Sequence, residues 1–302
     1  MKLEDLRFFT RVVALGNLSA AGREFGLSPS AASARLSALE AGAGSQLLAR
    51  TTRKVSLTEA GQVFIEHANR ALSEMDAAMH ALEASTEAPR GTLRITSNVS
   101  FVRKHVLPYL NEFKNEYPDV RIEMNITDRI VDIVEEGYDL AIRVAELPDS
   151  ALKARKLAAN PRYLCASPEY IARRGEPTSP ADLANHECLG FEPMPTWYFA
   201  GPNGEIAHHV HSAISSDNGD FTHEAAIHGL GLTVKSIAHI WEDLRDGRLV
   251  VVMQDYPVTR AGAVWAVYPP GKQTPPKVIA FIDFLQKKFG RPAYWETEFR
   301  LA

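Results

Sequence analysis

Residues 27–40, LSPSAASARLSALE, place four hydroxyls (Ser28, Ser30, Ser33 and Ser37) and one long cation, Arg35, within about three helical turns of one another. Serine hydroxyls bond phosphate oxygens and base edges, and alanine meets the thymine methyl. Small side chains also let a helix backbone come close to the major groove. The chemistry to expect is groove reading with little charge, set against the plainer reading of an ordinary helix surface. Ser28-Pro29 adds free amides and a positive dipole end for a phosphate. The salt-dependent grip would come from RTTRKVSLT, residues 50–58, through Arg50, Arg53 and Lys54. Solvated loop charge is the alternative for these three.

A second set of residues has the character of a ligand cleft. Ligands of open α/β sheets collect beyond the carboxyl ends of strands. Those ends fall at Ser97–Phe101, 127–129, 144–146 and 216–219. The candidates are Ser97, Ser100, Phe101, Thr127, Phe191 and Asn218, with Ser100 able to hold a carboxylate. Arg129 and Arg143 either pair with an anionic ligand or lie in surface salt bridges. Trp197 is either a cleft wall or a core residue.

Other chemistries find little support. His208, His209 and His211 have no acid or cysteine at metal-ligand spacing, so no metal is expected. There is no G-x-S-x-G elbow, no His/Asp set around Ser100 and no phosphate-cradling glycine pattern, so neither an enzyme nor a cofactor is expected. Cys165 and Cys188 sit far apart in apolar stretches and read as buried, reduced thiols; a redox switch is the minority alternative.

The elements that must position these residues follow from periodicity and breakers. Leu6, Phe9, Val12 and Val13 predict a helix over 4–14 closed by Gly16. Ser19, also a candidate DNA contact, is expected to cap a second helix that stops at Gly26. Ser28 caps a third, with Pro29 at its first position and Ala32, Leu36 and Leu39 as its buried stripe. Val55 and Leu57 alternate with polar residues in a β-ribbon. Thr58 caps a long helix to about Ser85. Its apolar positions Phe64, Ala68, Ala71, Met75, Ala78 and Leu82 form a heptad seam, read as pairing with a second copy rather than packing on its own chain. Pro89 and Gly91 mark a hinge.

Beyond the hinge, strands and helices alternate in a βαβαβ rhythm that predicts a parallel sheet. It includes an edge-like strand at Val120–Ile126 and a helix over IVDIVEEG. Helices are expected near 168–174, 220–228 and 236–245, and PNG at 202–204 reads as a hairpin turn. An amphipathic helix ending at Gly290 is expected to pack back on the first lobe, so that two lobes enclose a cleft.

The chain has 302 residues, 45% apolar and 23% charged, as in a multidomain globular protein. Its total charge is −4, but residues 1–60 carry eight Lys or Arg against five Asp or Glu, a net +3 that leaves −7 for the rest. A basic head on an acidic body points to a polyanionic partner for the head alone. No apolar run is long enough for a membrane span, and the N-terminus lacks the features of a signal peptide. The expected compartment is the cytoplasm of a bacterium, at the nucleoid.

The run LSAAGREFGLSPSAASARLSALE, followed by LLARTTRKVSLTEAG, resembles the LysR-type transcriptional regulators. The resemblance rests on Ser19-Ala20-Ala21, Ser28 to Ala31, Leu39-Glu40, Arg50-Thr51-Thr52 and Leu57-Thr58-Glu59-Ala60-Gly61. Two departures are local: Ala43 and Leu48 stand where the family has Leu and Phe, and Ala34 where Arg is common. LPYLNEFKNEYPDVRIEM and EEGYDLAIRV extend the likeness over nearly the whole chain. It implies an all-α winged helix-turn-helix head over 1–58, a linker helix for dimerisation over 59–86 and a hinge over 87–91. An α/β, two-lobed, periplasmic-binding-protein-like effector domain would follow over 92–302. Lobe I would take 92–160 and 266–302, and lobe II 161–265. It also implies promoter DNA as partner, an effector at the region of Ser100, and a homodimer that pairs into a tetramer. The alternative is a cytoplasmic solute-binding protein with no role on DNA.

Overall fold

The computed structural model describes residues 1–302 apart from 51–54, 84–87, 130, 148–149, 261, 272 and 299–302; within helices and strands, the side chains of residues 50, 73–74 and 76–83 are also outside the description. The chain divides into two units, residues 1–87 with 131–138, and residues 88–130 with 139–302.

In the first unit, α1 (Leu3–Leu15) ends at Gly16 in the left-handed region, φ 58°. Next come α2 (Leu18–Glu24) and α3 (Pro29–Ala43). The cap of α2 differs from expectation. Asn17 accepts from the Ala20 amide, while Ser19 lies inside the helix and is exposed. Asn17 already has the extended backbone that a cap needs, so the helix starts earlier. The cap of α3 is as expected: Ser28 Oγ accepts from the Ala31 amide at 3.2 Å, and Pro29 follows. Glycine 22 lets α2 and α3 cross closely, because a Cβ there would sit 2.9 Å from Ala32 Cβ.

The ribbon β1 (Leu48–Arg50) and β2 (Val55–Leu57) pairs Leu48 with Leu57 and Arg50 with Val55. The helix α4 (Glu59–Glu83) then begins after Thr58. Leu6, Phe8, Phe9, Val12, Leu36, Leu39, Leu47 and Leu48 form the core of this unit. Leu48 is fully buried, so the smaller residue at this departure still fills its place. The helix expected over 130–137 is instead, within the described residues 131–137, a single turn. Asp132 caps the amides of Val134 and Glu135, and Gly137 at φ 68° closes it.

The second unit opens with β3 (Gly91–Ser97). Helix α5 (Val99–Phe101) runs into a π-helical turn at Val102–Val106, a tight turn at Leu107–Tyr109 that carries Pro108, and α6 (Leu110–Glu116). Then come β4 (Val120–Ile126), β5 (Leu140–Ala145) and β6 (Lys153–Asn160). The chain passes into the second lobe with β7 (Arg162–Ala166), α7 (Pro168–Arg174), β8 (Gly190–Phe191), β9 (Thr196–Gly201) and β10 (Gly204–His209). It continues through β11 (Ser215–Ser216), α8 (Gly219–Ile227), β12 (Thr233–Ser236), α9 (Ile237–Arg245) and β13 (Val250–Val251). It returns to the first lobe with β14 (Gly262–Tyr268), α10 (Pro276–Phe289) and α11 (Tyr294–Thr297).

The first-lobe sheet has the order β4-β3-β5-β14-β6. β3 runs parallel to β4 and β5, but β14 is antiparallel to both β5 and β6. The sheet is therefore mixed, not parallel. β14 enters from the second lobe in the opposite sense, and β6, whose KARKLAAN pattern gave no strand signal, closes the far edge. β4 takes the other edge, as its alternation predicts. The second lobe holds the sheet β12-β7-β13, the parallel pair β8 and β11, and the β9–β10 hairpin across Pro202-Asn203. Ile237, Ala238 and Trp241 of α9 join the first lobe's core, while Ile240 joins a second-lobe core. α9 is thus the element both lobes share.

Candidate nucleic-acid interface and ligand cleft

On α3, Ser30, Ala34 and Ser37 are exposed, Ser33 is half-buried, and Ala32, Leu36 and Leu39 face inward. Ser28 and Pro29 are exposed at the helix start, where Ser28 Oγ and Ser30 Oγ lie 3.0 Å apart. The outward face is made of small residues, as the sequence suggests. Arg35 does not join it. Its Nε donates to Asp5 at 2.9 Å and its Nη2 to Glu4 at 3.5 Å, and its guanidinium lies 5.5 Å from the Phe8 ring and 5.9 Å from the Phe25 ring. The expectation that Arg35 reads bases is corrected: carboxylates on α1 and two aromatic faces hold it as a strut between α1 and α3. A bidentate Arg11–Glu24 pair ties α1 to α2 in the same way.

The ribbon is anchored by Glu40, a role the sequence did not disclose, and by Thr58, the expected cap of α4. Glu40 accepts the amides of Leu47 and Leu48 at 3.0 and 3.1 Å. Thr58 Oγ1 donates to the Gln46 carbonyl at 2.7 Å and accepts the Gly61 amide at 2.9 Å. A Cβ on Gly61 would fall 1.9 Å from the Leu47 carbonyl oxygen, so only glycine fits there. Leu39-Glu40 and Leu57-Thr58-x-x-Gly61 are thus the two clamps that seat the ribbon against α3 and α4. Arg50 lies in β1, with its side chain outside the described residues, as are Arg53 and Lys54 entirely.

The predicted seam of α4 divides. Phe64 packs edge-on against Phe9, with centroids 5.3 Å apart, and Ala68 is buried in the core of its own unit. These two serve the head, because α4 packs along α1. Ala71 and Met75 are exposed, and the side chains of Ala78 and Leu82 lie outside the described residues.

In the second unit, Ser97 ends β3 fully buried. Thr96 Oγ1, Ser97 Oγ, Asn98 Oδ1 and Asn160 Nδ2 are buried without a hydrogen-bond partner. Buried polar groups are costly unless paired, and Asn98, at the carboxyl end of β3, is one that a polar ligand or water would complete. There, Asn98, Ser100, Phe101, Lys104, His105, Val144, Ser236, Ala238 and His239 line a cavity of about 20 Å³, room for one water. Phe101 is both wall and core, ringed by His105, Phe289 and Trp295. Ser100 Oγ donates to Asp220 at the start of α8, in the other lobe.

The remaining candidates are spread around this point. Asn218 is the cap of α8 and accepts the Phe221 amide at 3.0 Å; Thr127 accepts the Arg129 amide at 3.3 Å; Phe191 carries Lys235 5.5 Å above its ring. None of the three lines the cavity. Trp197 is a core residue, 2% exposed, and Arg129 is exposed.

The sequence reading missed the charged members. Lys235 is buried, with Nζ on the Gly219 carbonyl at 2.7 Å and Thr222 Oγ1 at 2.5 Å, and burial pushes its amine down to about 8. Lys104 donates to the His239 carbonyl at 2.7 Å and pairs with Glu242 at 3.5 Å. Burial pushes His105 and His239 down to about 4, so both rings are neutral at pH 7. The adjacent His239, together with Ser100 and Arg103, holds the Asp220 carboxyl well below the usual range. An acid in the first turn of α8, two residues after the cleft candidate Asn218, was the available signal.

Cys165 and Cys188 are free and buried, and burial pushes both thiols up to about 12, which leaves them unreactive at neutral pH. Among the described residues no group of three His, Cys, Asp or Glu is placed to hold a metal, and no helix is long and apolar enough to cross a membrane.

A winged helix-turn-helix and a two-lobed domain with a polar cleft define a DNA-binding regulator of the ligand-responsive class. Residues 3–62 match the model of the bacterial regulatory helix-turn-helix protein, LysR family, and residues 86–290 match the LysR substrate binding domain. The chain is 36% identical to the HTH-type transcriptional regulator DmlR of Escherichia coli K12, over 95% of this chain and 94% of that one. The structure of CrgA, a LysR-type regulator from Neisseria meningitidis, aligns at 32% identity with a TM-score of 0.61, over 95% of this chain and 98% of that one. Full-length AphB, the Vibrio cholerae virulence activator, aligns at 28% identity and a TM-score of 0.65, over 94% and 98%. The chain belongs to the LysR-type transcriptional regulators.

Proposed function

We propose that this regulator binds a promoter through α3 and the β1–β2 ribbon, and that a small molecule entering the cleft at the end of β3 changes that binding. The observation that carries the second half is the cavity at the carboxyl end of β3, lined by Asn98, Ser100, Lys104 and His239, where the Asn98 side-chain oxygen is buried without a hydrogen-bond partner. Ser30, Ser33 and Ser37 read base edges, Ser28 and Pro29 meet a phosphate, and Arg50, Arg53 and Lys54 supply the charge. The working division is a head over 1–58, a linker helix over 59–86, a hinge over 87–91 and an effector domain over 92–302. Ala71 and Met75, exposed on α4, begin the surface that pairs two copies, with Ala78 and Leu82 continuing it. Two such dimers make a tetramer. The protein acts in the cytoplasm, where its promoter is, and carries out no catalysis. A mobility-shift titration against its own promoter region and against random DNA tests the first half. A salt-sensitive complex specific for the promoter supports it; equal affinity for both DNAs contradicts it.

A further inference from the structure

The cleft already holds a carboxylate, and it is the protein's own. Asp220 of α8 receives the Ser100 hydroxyl from the opposite lobe, across 120 residues of sequence. His239 Nε2 lies 3.0 Å from the same oxygen, though not aligned for a hydrogen bond, and Arg103 Nη2 lies 3.7 Å from the other. The Ser100 hydroxyl donates to Asp220 and the Arg103 guanidinium pairs with it, with the His239 ring alongside, a set suited to receiving a carboxylate. The other nearby cations are engaged elsewhere: Lys104 with the His239 carbonyl and Glu242, Lys235 with Gly219 and Thr222. The cavity lined by Ser100 and His239, the two residues next to Asp220, holds about one water while this latch is closed, too little for an effector. Val99 and Phe221, the sequence neighbours of Ser100 and Asp220, are 38% and 51% exposed, apolar surface beside the latch residues in sequence.

We propose that Asp220 is an internal stand-in for the effector: its carboxylate occupies the donors that an effector carboxylate takes over, and its displacement unlatches lobe II from lobe I. The inference rests on the effector reading of the cleft and names the effector as a small carboxylic acid with an apolar body. Two carboxylates on one donor set repel, so only one is bound at a time. An internal competitor lowers the apparent affinity of the external one by the fraction of time the site is free.

The test is calorimetric titration of the full-length protein with straight-chain carboxylates from acetate to hexanoate, and with the matching alkylamines. Asp220→Asn keeps the shape and removes the charge. It should bind hexanoate about tenfold more tightly than wild type, with affinity rising along the series. Ser100→Ala breaks the same latch from the donor side. It should weaken carboxylate binding while opening the lobes, seen as a larger radius in small-angle scattering. Unchanged or weaker carboxylate binding by Asp220→Asn, or tighter binding by Ser100→Ala, overturns the proposal. So does alkylamine binding to wild type that Asp220→Asn abolishes, which would make Asp220 a cation receptor and leave the effector reading intact. The effector reading itself fails separately, if no small molecule in a broad screen alters promoter affinity of the wild type.

Discussion

Arg35 and Gly61 show what single residues decide here. Arg35 is the one long cation on α3, and spacing alone assigned it to the DNA face. Its partners Asp5 and Glu4 lie thirty residues upstream, so nothing local in the sequence signals that the guanidinium turns inward. Arg35→Ala should therefore lower the head's stability by about 1 kcal/mol and leave promoter preference unchanged. Denaturant unfolding and competition binding separate the two; a changed base preference at unchanged stability would return Arg35 to the interface. Gly61→Ala drives a methyl into the Leu47 carbonyl and should cost about 2 kcal/mol or more, read as a fall in melting temperature. His105 and His239 give a pH dependence. Their rings titrate near 6.5 when unfolded and are pushed to about 4 when folded, so the unfolded chain binds more protons between those values. Their contribution is complete above about pH 6.5 and is lost as pH falls toward 4. His105→Gln, at a ring bonded to Tyr294 and the Ala238 carbonyl, should give a shallower fall in urea midpoint between pH 7 and pH 4.5.

At the scale of elements, local signals served well where local physics decides. Ser28-Pro29, Gly16 and the Pro202-Asn203 turn act within a few residues, and each does so in the structure. Elements set by long-range pairing were less legible. β6 looks polar because one side of its edge position is wet, and it becomes a strand only once β14 lies beside it. The turn at 131–138 has a helix's apolar spacing but closes after one cycle at Gly137. The α4 seam looked uniform, yet Phe64 and Ala68 belong to the head's own core. This division makes a prediction. Ala68→Glu should unfold the head, whereas Met75→Glu should leave it folded and dissociate the dimer. Sedimentation velocity and circular dichroism read both; a Met75→Glu protein that still sediments as wild type would remove Met75 from the pairing surface.

For the whole molecule, the class of protein was legible because the helix-turn-helix and its ribbon are compact patterns in sequence. Half of the cleft was legible too. Ser97 and Ser100 sit at a strand end that alternation locates. Asp220 and His239 reach the same point from elements more than a hundred residues away, and only the fold brings them together. The central claim is that cleft and head are energetically linked, and linkage is reciprocal. Fluorescence anisotropy of labelled promoter DNA, at fixed salt, with and without a saturating compound that raises the melting temperature of the effector domain, tests it most directly. The account predicts that the compound changes promoter affinity, and that promoter DNA changes the compound's affinity by the same factor. Identical promoter titrations with the cleft empty and saturated would contradict it.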